Sequence, residues 1–176
     1  MPISDVPRVL ESIGAPYALI GGQAVIIRGH IRPTFDFDFL TSAAAALQPS
    51  SWISLEGADV NVTKGDYDDQ FQGVVHIKLS EGIDVDVIVA KWKWEDGVID
   101  RAEPMDVEGV TMPVPQLSDL ILLKLAAGGG LDLQDIMNLM DVHGRDPLVA
   151  EVEARLDEVR PDIRGTWAKL LASLDV

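Results

Sequence analysis

From Phe35 to Leu40 the chain reads Phe-Asp-Phe-Asp-Phe-Leu. Successive side chains of a strand point to opposite faces, so this segment predicts a strand with aromatics on one face and carboxylates on the other. Asp36 and Asp38 then stand about 7 Å apart along one face. Unpaired like charges that close raise each other's pKa, and a cation relieves the conflict. Hard oxygen ligands of this kind suit Mg²⁺ or Mn²⁺.

Two other segments belong with this one. Upstream, the apolar run Tyr17–Ile20 leads into Gly21-Gly22, then Gln23 to Arg28 and Gly29. That order predicts a buried strand, a tight turn and a short helix. Gly21 and Gly22 would let the backbone approach a phosphate and offer amide donors at the helix start. Downstream, Ile83-Asp84-Val85-Asp86-Val87-Ile88-Val89 repeats the alternation. If the two strands are neighbours, up to four carboxylates converge on one patch, which suits two-metal phosphoryl or nucleotidyl transfer.

Composition restricts the partners. The chain has 176 residues, 29 acidic against 14 basic, and a net charge of -15. Proteins that grip duplex DNA by its phosphates carry a basic surface, so duplex DNA is not an expected partner. Any nucleic acid would be held locally, through metal ions or a few arginines. With no cysteine there is no disulfide framework and no thiolate zinc site. No apolar run approaches a membrane span and the N-terminus lacks a signal-peptide pattern, so a cytoplasmic protein is expected.

The remainder predicts an α/β fold. Ser4 to Ile13 reads as a helix capped by Ser4, and the alanine-rich Ser42–Leu47 as another. Asp59–Thr63 reads as a short strand, Lys64–Gln72 as a polar loop, and Val74–Leu79 with Ile83–Val89 as a hairpin turning at Ser80-Glu81-Gly82. Trp92–Ala102 is ambiguous, and Val107–Val114 suits a small two-stranded element about Glu108-Gly109. After Pro115 the pattern is helical: Leu117–Ala127, Asp132–His143, Pro147–Val159 and Asp162–Leu174. The expected division is therefore a core over 1–114 and a helical region over 115–176.

Taken together, Gly21-Gly22, Asp36-Phe37-Asp38 and a third carboxylate on a later strand resemble the DNA polymerase β-like nucleotidyltransferase superfamily. Within it, Gly21-Gly22-Gln23-Ala24, Gly29, Arg32, Thr34, Asp36 and Asp38 are most similar to the abortive-infection (AbiEii-like) toxins and their uncharacterised bacterial relatives. The resemblance spans roughly residues 17 to 140. Lys124-Leu125 and the Asp132-x-x-Asp135 helix start support it. It implies a mixed sheet with flanking helices. It implies that Asp36 and Asp38 are catalytic metal ligands and that Asp86 is the third carboxylate, with Asp84 as the competing choice. It implies that Gly21 and Gly22 face the triphosphate and that Arg32 and Thr34 contact phosphate or order the loop. Lys124 either neutralises a phosphate or is a snorkelling surface lysine. Asp132 and Asp135 are read as a helix cap. Two departures stand out. Gln23-Ala24 replaces the Ser that many of these enzymes carry after the second Gly, and Gly128–Leu131 lacks the arginine often found before the Asp-x-x-Asp helix.

The resulting expectation is a Mg²⁺-dependent (or Mn²⁺-dependent) enzyme that moves a nucleoside monophosphate from a nucleoside triphosphate to a hydroxyl of RNA, such as a tRNA end, or of a protein. A toxin–antitoxin role with a cognate toxin or antitoxin partner goes with it. The alternative is a non-catalytic module or antitoxin partner that keeps the fold. His30, His76 and His143 have no ligand spacing. Trp92, Trp94, Trp167 and Tyr17 are expected to pack.

Overall fold

The computed structural model describes residues 3–174. The chain begins with a helix, α1 (Asp5–Ser12), that buries Val6, Val9 and Leu10. Ser4 precedes it, but in helical geometry with no side-chain capping bond, so the expected cap is not made. Strand β1 (Tyr17–Ile20) runs directly into helix α2 (Gly21–Ile27). Strand β2 (Asp36–Thr41) follows.

The alanine run does not continue as an α-helix. It makes one 3₁₀ turn (Ala44–Leu47), and a second (Pro49–Trp52) follows. Ala43 and Gln48 on either side are extended, and Pro49 stops propagation. Strands β3 (Asp59–Lys64), β4 (Gly73–Lys78) and β5 (Asp84–Val89) come next. Helix α3 (Lys93–Asp100) resolves the ambiguous segment. The hairpin β6 (Glu103–Val107) and β7 (Val110–Val114) is longer on its first strand than the sequence indicated. Helices α4 (Leu117–Ala127), α5 (Gly130–His143), α6 (Arg145–Glu153) and α7 (Pro161–Leu174) complete the chain.

The main sheet has the order β1-β2-β5-β4-β3. Only β2 and β5 are parallel, and the other neighbours are antiparallel. Alternation along each strand separates two cores. Phe37, Phe39, Val85 and Val87 pack with α1 and the 3₁₀ turns. Leu40 and Ile88 face a second core that holds Trp94, Ile121, Leu125, Ile136 and Trp167 from the helices. The carboxylates of β2 and β5 share this second face, at the end the helices leave open. Among the described residues, no helix is long and apolar enough to cross a membrane.

Candidate active site

The β2–β5 register places Asp36 opposite Asp84 and Asp38 opposite Asp86. Cross-strand partners project to the same face, so the four aspartates form two rungs. The chain splits them between two hollows. Asp36 and Asp38 line a cavity of about 290 Å³ with Gly21, Gly22, Arg32, Thr34, Lys124 and Asp132. Asp84 and Asp86 line a neighbouring groove, where Lys78 Nζ lies 3.2 Å from Asp84 and His76 Nδ1 lies 2.7 Å from Asp86. Among the described residues, no three Asp, Glu, His or Cys side chains are assembled in this arrangement to hold one ion.

The glycine pair is shaped by the site's side chains. Gly21 has φ +65°, and a Cβ there would meet Asp38 Oδ2 at 1.8 Å. A Cβ on Gly22 would meet Thr34 Oγ1 at 2.6 Å and Arg32 Nη2 at 3.1 Å. The absent side chains thus make room for the Asp38 carboxylate and the Thr34 hydroxyl. Thr34 Oγ1 in turn donates to Asp36 Oδ1 at 2.6 Å. No serine follows the glycines, but Thr34 places a hydroxyl against them.

The cations form a network that sequence reading missed. Arg32 donates from Nε and Nη2 to the two oxygens of Asp135 at 2.8 and 3.0 Å. Lys124 Nζ reaches Asp132 at 2.8 Å and Asp135 at 2.9 Å. The Asp135 side chain is fully buried, so it is no helix cap. Asp132 does cap: the helix begins at Gly130, two residues earlier than expected, and Asp132 Oδ2 accepts the Gly129 N–H. Lys124 is itself buried, which rules out a snorkelling surface lysine. The guanidinium that pairs with Asp135 comes from Arg32, ahead of β2, and not from the segment before α5. The available signal was an acid at Asp135 within an apolar stripe that includes Ile136 and Leu139.

Electrostatics differ sharply across the site. Burial, then the charges of Asp36 and Asp86, push the Asp38 carboxyl up to about 6, against the opposing pull of Lys124 and Arg32. Burial also pushes Asp135 up, but hydrogen bonds and charge from Arg32 and Lys124 win and hold it below the usual carboxylate range. Asp38 is therefore a carboxylate short of positive charge, while Asp135 has it in full.

A second buried acid went unseen as well. Asp119, fully buried on α4, takes Arg101 at 2.8 and 3.0 Å and lies 3.7 Å from Arg155. It lies outside the cavity and ties α4 to the residues that follow α3 and α6.

By sequence, no protein-family model and no curated protein matches this chain. Solved structures do. The antibiotic-resistance factor ANT(2'')-Ia, determined in solution, aligns with a TM-score of 0.59 over 98% of this chain and 95% of that one, at 14% identity. The fold is that of the nucleotidyltransferases. The lincosamide antibiotic adenylyltransferase LnuA, lincomycin-bound, aligns at a TM-score of 0.53 and 16% identity over 80% of this chain and 95% of that one. An antigenic nucleotidyltransferase-like protein from Paracoccidioides brasiliensis aligns at 0.52 and 16% over 93% and 89%. At such identities the likeness is one of fold.

Proposed function

We propose that the protein transfers a nucleoside monophosphate from a nucleoside triphosphate to a hydroxyl. The observation that carries this reading is Asp38, short of positive charge and paired with Asp36, set beside Gly21-Gly22 in a cavity also lined by Arg32 and Lys124. The donor set fits a hard divalent cation: its oxygens are anionic, and the Asp38 carboxylate has no hydrogen-bond partner among the described residues. Asp36 and Asp38 would hold Mg²⁺ (or Mn²⁺), with Asp86 as the third carboxylate and Asp84 as its competitor. Such an ion supplies charge neutralisation at the α-phosphate and lowers the pKa of an attacking hydroxyl. The chain's own residues do the rest. Arg32 and Thr34, beside Gly22, would meet the phosphate chain, and Lys124 would add positive charge at the cavity wall. The acceptor oxygen bonds to the α-phosphorus, its proton passes to a site carboxylate, and pyrophosphate leaves.

In this reading a core over 1–114 supplies the carboxylates, and the helical part over 115–176 contributes α4 and the start of α5 to the cavity wall. The motif resemblance favours an RNA or protein hydroxyl as acceptor and a place in a toxin–antitoxin pair in the bacterial cytoplasm. The structural neighbours ANT(2'')-Ia, an antibiotic-resistance factor, and LnuA, a lincosamide antibiotic adenylyltransferase, add a small hydroxyl compound to the acceptors worth testing. Label transfer from α-labelled triphosphates with Mg²⁺, across RNA, protein and small-molecule acceptors, tests the reading. Loss of transfer in Asp36→Ala is expected. No transfer to any acceptor, or transfer indifferent to that substitution, refutes it.

One observation favours a second reading, a non-catalytic module or antitoxin partner. Arg32 and Lys124 are already neutralised by Asp132 and Asp135. Calorimetry separates the two: triphosphate binding that requires a divalent ion supports the enzyme.

A further inference from the structure

The cavity has two unlike ends. Asp36 and Asp38 close one end, while Leu40, Ile88, Phe71 and Leu123 wall the other. Within this apolar end stands one charged group, Glu95, which is 2% exposed. Its Oε2 alone accepts both N–H groups at the start of α3, from Lys91 and Trp92, each at 2.8 Å. Its Oε1 has no hydrogen-bond partner among the described residues.

The mounting is stiff. Lys91 Nζ donates to the carbonyls of Asp66, Tyr67 and Asp69 at 3.1, 2.6 and 2.7 Å, which pins the loop that brings Phe71 to the cavity. A half-satisfied carboxylate in an apolar wall is costly. Burial accordingly pushes the Glu95 carboxyl up, against the two backbone hydrogen bonds and the charge of Arg160. A donor arriving from a ligand recovers that cost.

We infer that Glu95 Oε1 selects the nucleobase: the apolar end seats the base, and Oε1 accepts a hydrogen bond from its exocyclic amino group. This rests on the nucleotide site proposed above. Uracil and hypoxanthine carry a carbonyl where cytosine and adenine carry that amino group. A carbonyl would set two acceptors face to face, so the amino-bearing base of at least one pair is preferred.

The test is equilibrium binding, by calorimetry with Mg²⁺, of ATP against ITP and of CTP against UTP. It is run on wild type and on Glu95→Gln. The glutamine oxygen can keep both backbone bonds, since one oxygen holds both now, while its NH₂ turns the acceptor into a donor. The wild type should favour the amino-bearing nucleotide of one pair by ten-fold or more. Glu95→Gln should abolish or invert that ratio and leave the melting temperature near wild type. The wild-type ratio alone is decisive if the variant does not fold. Equal affinities within both pairs, or a ratio unchanged by the variant, overturn the selector and leave the nucleotide site standing. Absence of all nucleotide binding overturns both.

Discussion

Asp38→Asn should make the ligand-free protein more stable. Asp38 is half-buried, and its carboxyl titrates near 6 instead of 3.8, chiefly through burial and then through the charges of Asp36 and Asp86. A raised folded-state pKa means that, between 3.8 and about 6, the folded chain binds more protons than the unfolded chain. Stability therefore falls as pH rises through that window, and the full penalty is present above it. At about 1.4 kcal/mol per decade of proton affinity, the ceiling is about 3 kcal/mol. Solvent at the cavity mouth screens part of it, leaving about 1–2 kcal/mol. In a chain of this length that is roughly 3–6 °C in melting temperature. The asparagine is close in shape and fills the same space beside Gly21. Thermal melts without divalent ions should show the gain at pH 8 and about half of it at pH 5. Saturating Mg²⁺ should then raise the wild type and leave the variant where it was. A variant that melts no higher than wild type at pH 8, or that gains equally at both pH values, refutes the argument that Asp38 is held charged against its surroundings.

Other substitutions probe the same site from its supports. Gly21→Ala puts a methyl group onto the Asp38 carboxylate at a positive φ, and urea melts should show a loss of about 2 kcal/mol or more. Asp135→Ala removes the carboxylate that Arg32 grips and one of the two that hold the buried Lys124, and should cost about 3–5 kcal/mol by the same melts. The depressed Asp135 carboxyl gives the opposite pH sign to Asp38. Its contribution is complete above the ordinary carboxylate range and disappears as pH falls through the lowered folded value, so the gap between wild type and Asp135→Asn should narrow on acidification. Arg32→Lys loses the two-pronged grip on Asp135 and should weaken triphosphate binding in calorimetry several-fold, even though the charge is kept.

The strands were readable because their pattern is strong. Phe35–Leu40 and Ile83–Val89 alternate cleanly, so both the strand state and the shared face of the aspartates followed from period two, and the structure places them side by side. The glycine pair was legible as a turn into a helix, but not as a hollow for Asp38 and Thr34, because that depends on residues up to seventeen positions away. The buried acids were not legible. Asp119 and Asp135 lie in helices where an acid reads as a cap or a wet face, and their partners, Arg101 with Arg155 and Arg32 with Lys124, make burial tolerable from positions that the local pattern does not reveal. Ser42–Leu47 misled for the opposite reason. Alanine favours helix locally, but one turn ahead of Pro49 leaves no room to propagate.

The single parallel pairing, β2 with β5, has a consequence for how this gene tolerates insertions and deletions. Its rungs match Asp36 to Asp84 and Asp38 to Asp86, with Phe37 and Val85 behind them in the core. A frame-preserving loss of one codon inside β5 would swing Asp84 or Asp86 toward Phe37 and Val87 and turn a valine out to the groove. Chemistry and solubility would fail together. The same codon lost from the exposed stretch at 66–70, between β3 and β4, leaves every rung in place. Length variation in natural or laboratory populations should therefore be absent from the two aspartate strands, while in that loop it would disturb the Lys91 anchor and Phe71 but not the carboxylate rungs.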